Sequence, residues 1–165
     1  MIGEQMRLET RLQLWTRTPG GVWAIQTDTH NLLTTAGRTR MARAWRQTPG
    51  GPFSPGSIAV GTGSTAPTVS DSALEAEVIR KTLDFGSLEI AHPVSTPTAV
   101  FETVIGSDEP SIQDPVGVLF AEAGLYSGEG TPVLISRALL PTPLLKTAGL
   151  EVLVRFSHTF KLDAG

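Results

Sequence analysis

The chain has 165 residues, 40% of them apolar and 18% charged, with a formal net charge of −3 at pH 7. That balance excludes a disordered chain, which would be poorer in apolar residues and more strongly charged. It also excludes a protein that grips nucleic acid over its whole surface, which would be strongly basic. Cysteine is absent, so disulfide frameworks, thiolate metal sites and cysteine nucleophiles are removed together. The length suits one domain, which would hide about two thirds of its unfolded surface on folding. No apolar run approaches the roughly 20 residues of a membrane helix. The opening MIGEQMRLETRLQLW alternates where a secretory signal would be continuously apolar. One soluble domain over 1–165, with no membrane partner, is the expectation.

Seventeen glycines and twelve prolines cut the chain into many short segments, the pattern of a mainly β protein. Charge is unevenly spread. Residues 1–46 carry seven arginines against Glu4, Glu9 and Asp28, whereas the remainder carries six basic and thirteen acidic side chains. A basic end and an acidic body can attract each other between copies, which points to self-assembly that weakens as salt rises; an accident of surface composition is the other reading.

Residues 6–16 read as a strand, with Leu8, Leu12 and Leu14 on one face and Arg7, Glu9, Arg11 and Gln13 on the other. Thr18-Pro19-Gly20-Gly21 is a turn, and 22–26 returns as the second arm of a hairpin. This hairpin, within 1–28, is a candidate to pack on a neighbouring subunit. A short helix follows over 35–46, capped by Thr34 or Thr35, with Gly37, Met41, Ala44 and Trp45 on one face and Arg40, Arg43 and Arg46 on the other. Residues 47–56 are a Pro/Gly loop and 57–61 a strand. Ser72 and Glu75 have capping-box spacing, and Leu74 with Val78 makes an apolar stripe, so a second short helix is expected over 72–80. Strands are expected over 82–91, 98–106, 116–123, 133–140 and 150–162, with Pro93, Pro97, Pro110, Pro115, Pro132, Pro141 and Pro143 between them or at their ends. In the last, Val152, Val154, Phe156 and Phe160 alternate with Glu151, Arg155, Ser157 and Thr159. The fold class is an antiparallel β-sandwich of seven or eight strands with one or two short helices.

Chemistry-bearing patterns are sparse. His30, His92 and His158 stand apart without zinc-type spacing, and His158 falls on an apolar strand face, as a satisfied core or interface histidine would. The acidic loop 106–114 reads as a solvated turn rather than a cation site. Gly61-Thr62-Gly63-Ser64-Thr65-Ala66 fits a dinucleotide-binding string, but Pro67 follows where the phosphate-facing helix should start. No nucleophile elbow or Walker A string occurs. Arg40, Arg43 and Arg46 lack interleaved aromatics and read as a solvated or ion-pairing face rather than a phosphate-backbone site. No enzyme, cofactor or metal is expected. Trp15, Trp23 and Trp45, with the three arginines, are the candidate interface residues, core packing being the other reading for each tryptophan.

The string 31–37 (NLLTTAG), a short helix and Ile58-Ala59-Val60-Gly61-Thr62-Gly63 are followed by Leu74-Glu75-Ala76-Glu77-Val78-Ile79-Arg80. Then come Glu122-Ala123-Gly124-Leu125-Tyr126, Leu134-Ile135-Ser136-Arg137-Ala138-Leu139-Leu140-Pro141, Lys146-Thr147 and the last alternating strand. This order, over 31–162, resembles tailed-bacteriophage tail-fibre and baseplate-type structural proteins. The resemblance implies a non-enzymatic virion protein, made in the host bacterial cytoplasm. Such a protein would assemble with itself and with other phage virion proteins in the tail tip, baseplate or fibre-attachment region. A capsid decoration protein is the alternative. A carbohydrate-binding module at the host surface is a third reading, disfavoured by a single tyrosine and scattered tryptophans.

Overall fold

The structure, a computed structural model, describes residues 5–44, 55–83, 98–110, 116–128 and 130–163. Two antiparallel sheets face each other. Strands β1 (Gln5–Arg17), β2 (Ala24–His30), β6 (Thr98–Ile105) and β9 (Glu151–Asp163) form one, in the order β2-β1-β9-β6. Strands β3 (Leu32–Leu33), β4 (Pro55–Gly61), β5 (Glu77–Thr82), β7 (Val118–Ser127) and β8 (Leu134–Lys146) form the other, in the order β3-β8-β7-β4-β5. The fold is an antiparallel β-sandwich with one short helix, α1 (Thr35–Ala44).

The period-2 patterns explain the pairing. β1 and β9 run side by side from Gln5↔Asp163 to Arg17↔Glu151, and each buries alternate side chains. Leu12, Leu14, Val152, Val154 and Phe156, all 0% exposed, meet Ile58, Val60, Phe120, Leu125, Ile135 and Ala138 from the other sheet. Each fully buried side chain of this size stabilises the fold by about 1.5–3 kcal/mol. β1 is thus an inner strand of the sandwich, and the first hairpin is not an appendage. Its turn closes through Gly21 N–H to the Thr18 carbonyl at 2.8 Å, with Gly20 at a φ of 76° that favours glycine.

Helix α1 starts where the sequence places it. Thr34 Oγ1 accepts the Gly37 N–H at 2.9 Å and donates to the Leu134 carbonyl at 2.6 Å, so one hydroxyl both caps the helix and ties it to β8. Gly37 lies against β8 so closely that a Cβ there would stand 2.2 Å from the Ile135 carbonyl oxygen. Asn31 joins the two sheets: its carbonyl accepts from Thr10 Oγ1 at 2.8 Å, and its amide donates to Ser136 Oγ at 2.9 Å.

Three expectations need correction. The second helix over 72–80 does not form; residues 62–76 are a loop and 77–82 are β5. The Glu75 carboxylate, needed for the capping box, instead accepts the Ser64 and Thr65 N–H groups at 2.9 and 2.7 Å. The β-branched Val78 and Ile79 then fit a half-buried strand. Second, Pro141 and Pro143 lie inside β8, not at its end. The β7–β8 register jumps from Glu122↔Leu139 to Phe120↔Leu144, so the prolines occupy an irregular stretch beyond the residues that β3 pairs. Third, the described residues hold nine strands, the two-residue β3 included. The expected strand over 82–91 lies mostly outside the described residues, as do Pro93, Pro97, Pro115, Trp45 and Arg46.

Candidate functional site

The outward face of the five-stranded sheet carries the densest polar cluster. Glu122 on β7 is 0% exposed and Arg137 on β8 is 3% exposed, each set in an otherwise apolar run. Arg137 Nε donates to Glu122 Oε2 at 2.8 Å, its Nη1 to Asp71 Oδ2 at 2.7 Å and its Nη2 to the Thr65 carbonyl at 3.0 Å. Glu122 Oε1 accepts the Gly63 and Ala76 N–H groups at 3.2 and 2.8 Å, and Oε2 the Glu75 N–H at 3.2 Å. Loop 62–76 is thereby stapled flat onto the sheet by one buried ion pair.

Local sequence makes this fit. A Cβ at Gly61 would meet the Ala76 carbonyl oxygen at 2.4 Å, and one at Gly63 would meet Glu122 Oε1 at 2.4 Å. Leu74 drops into a satellite cluster with Ala59, Tyr126 and Leu134, and its N–H donates to the Tyr126 hydroxyl at 3.0 Å. A bulge between Val60 and Gly61 on the β4–β5 ladder brings Glu77 and Arg80 to one face. They pair there at 2.6 Å, and the guanidinium covers the Tyr126 ring at 3.6 Å. Glu77 and Arg80, three apart in sequence, therefore pair on a bulged strand, where an unbulged strand would point them to opposite faces.

Electrostatically this cluster is spent. Burial pulls the Arg137 guanidinium down, but its bonds to Asp71 and Glu122 outweigh that and raise its pKa. Burial likewise opposes ionisation of Asp71, yet Thr68 and Arg137 hold its carboxyl below the usual range. Backbone bonds from Thr65 and Ser64 lower Glu75. Charges fixed in this way hold a loop; they do not exchange protons near neutral pH.

Of the candidate interface residues, Arg40 and Arg43 line an open cleft of about 420 Å³ between α1 and the loop, with Thr35, Thr39, Ser70 and Ser72. Trp15 lies on β1 of the other sheet and Trp23 in the β1–β2 connection just before Ala24, so the structure does not bring these candidates together with Arg40 and Arg43. Trp23 stacks under the Arg17 guanidinium at 4.3 Å. Trp15 lies on the outward face of the four-stranded sheet, half-buried, directly between Ile25 on β2 and Leu153 on β9. Several N-terminal charges meet partners within the chain: Arg17 with Glu151 at 2.6 Å, Arg11 with Asp28 at 2.8 Å, and Glu9 with Lys161.

Two further groups sit apart. His158 is buried against Phe101, with ring centroids 5.5 Å apart, beside an apolar cavity of about 140 Å³ lined by Met41, Phe101 and Phe160. Burial lowers its pKa to about 4. Its Nε2 has no hydrogen-bond partner, so it is a core histidine but not the fully satisfied one expected. In the acidic loop, Glu109 pairs with Lys81 at 2.5 Å and accepts the Gly106 N–H at 2.9 Å. Lys146, fully buried, donates to the Ser107 and Thr147 carbonyls at 3.3 and 3.0 Å. Among the described residues no group of three His, Asp or Glu side chains could hold a metal ion, and no helix is long and apolar enough to cross a membrane.

No family model, curated protein or solved structure matches this chain. Sequence reasoning missed the Glu122–Arg137 pair, although its signal was present: a lone carboxylate and a lone guanidinium in consecutive apolar strands. Asp71 and Tyr126 gave no such signal, because their partners are far along the chain.

Proposed function

We propose that this chain is a structural protein of a tailed-bacteriophage particle that works by assembling with itself and with other virion proteins in the tail tip, baseplate or fibre-attachment region. One observation carries the reading. The ordered motifs behind the phage resemblance supply the residues that lock this sandwich: Asn31 and Thr34 between strands, Gly37 under α1, Gly61 and Gly63 under the loop, and Glu122 with Arg137 beneath it. A pattern with that much of its length committed to one rigid scaffold belongs to a part whose shape is its job. Outside that scaffold the four-stranded sheet presents its outward face, a broad surface on which another protein chain could pack.

The test is the copy number of this chain in purified particles, by quantitative mass spectrometry against the major capsid and tail-tube proteins. A handful of copies per particle is the expected result. Copies in proportion to the capsid subunit would make it a decoration protein, and absence from particles would overturn the virion reading.

A further inference from the structure

We infer that two copies of this chain join face to face through the outward side of the four-stranded sheet, an inference that rests on the self-assembling reading above. Ile25, Trp15, Leu153 and Val104 stand directly opposite one another across β2, β1, β9 and β6, so one apolar row crosses the whole sheet. Ile25 in that row is 46% exposed. Charged rows flank it: Arg17 with Glu151 on one side, and Arg155 with Glu102 at 2.7 Å and Arg11 with Asp28 on the other. An apolar centre inside a polar rim, with a tryptophan at its middle, is the anatomy of a protein interface.

The occupant that suits this face is the face itself. Its charges come in laterally paired opposites, so it presents no strong field of one sign to select an acidic or basic stranger. A two-fold axis parallel to the strands, between β1 and β9, sets Trp15 over Leu153 of the second copy, Ile25 over Val104 and Arg17 over Glu151. Asp28 and Glu102, which then face each other, each arrive with an arginine in place. The four strands offer about 20 outward side chains, the low end of what a stable interface takes on each side, and aligned sheet-on-sheet packing is a standard solution for such faces. The opposite side of the sandwich has loop 62–76 stapled over it and α1 against β8.

The experiment is sedimentation equilibrium of the full chain and three variants, each checked by circular dichroism and thermal melting. Ile25→Arg lies on an exposed edge strand, Leu153→Arg at the centre of the row, and Leu145→Arg on the other sheet, where Leu145 is 47% exposed. The wild type associates; Ile25→Arg and Leu153→Arg weaken association at least tenfold while keeping the wild-type spectrum; Leu145→Arg does not. If the wild type associates and Ile25→Arg leaves it unchanged, the surface is wrong and self-assembly stands. If the wild type sediments as a monomer at high concentration, both fall together.

Discussion

Arg137 and Glu122 meet at 2.8 Å on adjacent strands, both sealed from water by a loop that the same carboxylate holds through three backbone N–H groups. Removing one charge strands the other. Arg137→Met is expected to cost about 3–5 kcal/mol, as for other broken buried pairs. The urea midpoint reads it, and limited proteolysis shows cleavage opening within 62–76. Glu122→Gln should cost less than Glu122→Leu, because an amide oxygen still accepts from Gly63 and Ala76. A loss below about 1 kcal/mol in Arg137→Met would mean the loop is held by other contacts.

Gly37 tests which of two opposed effects wins. Alanine in a helix interior is favoured over glycine by about 0.8–1 kcal/mol. Here the new methyl would press on backbone, 2.2 Å from the Ile135 oxygen, so α1 would have to lift from β8. Overpacking of this kind costs about 1–3 kcal/mol. Gly37→Ala is therefore expected to lower the melting temperature, and a rise would show that α1 slides freely.

His158 predicts a pH dependence. In the folded protein it stays neutral until about pH 4, whereas the unfolded chain takes up that proton near pH 6.5. Between those values the unfolded state binds more protons, so stability is intact above pH 6.5 and falls as the pH drops toward 4. The total is about 3 kcal/mol, from a shift of about 2.5 pKa units. His158→Phe should flatten urea midpoints across this window. The lowered carboxyls of Glu9, Asp71, Glu75 and Glu109 take effect at lower pH in both proteins, so their loss follows rather than overlaps most of it. Identical pH slopes for the two proteins would rule out His158 as the source.

The uneven charge distribution of the sequence suggests salt-sensitive assembly, but Arg17 and Arg11 find acidic partners inside the same chain. Association through the apolar row should therefore hold between low and physiological salt and above it, since screening acts on pairs that are already formed. Light scattering across a salt series measures this. A steep loss of mass with rising salt would restore electrostatic attraction between copies as the driving force.

Much of the fold was legible because sheet burial writes itself in alternation: β1 and β9 follow their leucine, valine and phenylalanine spacing. The helix expected over 72–80 failed for a reason no local pattern contains. Ser72 and Glu75 have the spacing of a cap, yet the Glu75 carboxylate bonds to amides ten residues back, and Glu122 takes the N–H groups a helix would have used. Long-range partners overrode a local signal. The candidate surface was half legible: Trp15 was named, but its alignment with Ile25 and Leu153 depends on register, which the sequence does not state.

The irregular half of β8 bears on how copies can be added. Among the described residues β3 pairs with Arg137 and Ser136 alone, so β8 continues past it along the border of the described sheet, and there Pro141 and Pro143 lack the N–H that an incoming strand would need. Recruitment by extending the hydrogen-bonded ladder is blocked at that border. A ribbon of the kind sheet proteins form when they misassemble could not grow through that stretch, which would leave the sheet faces and the other edges as the routes open to a second copy.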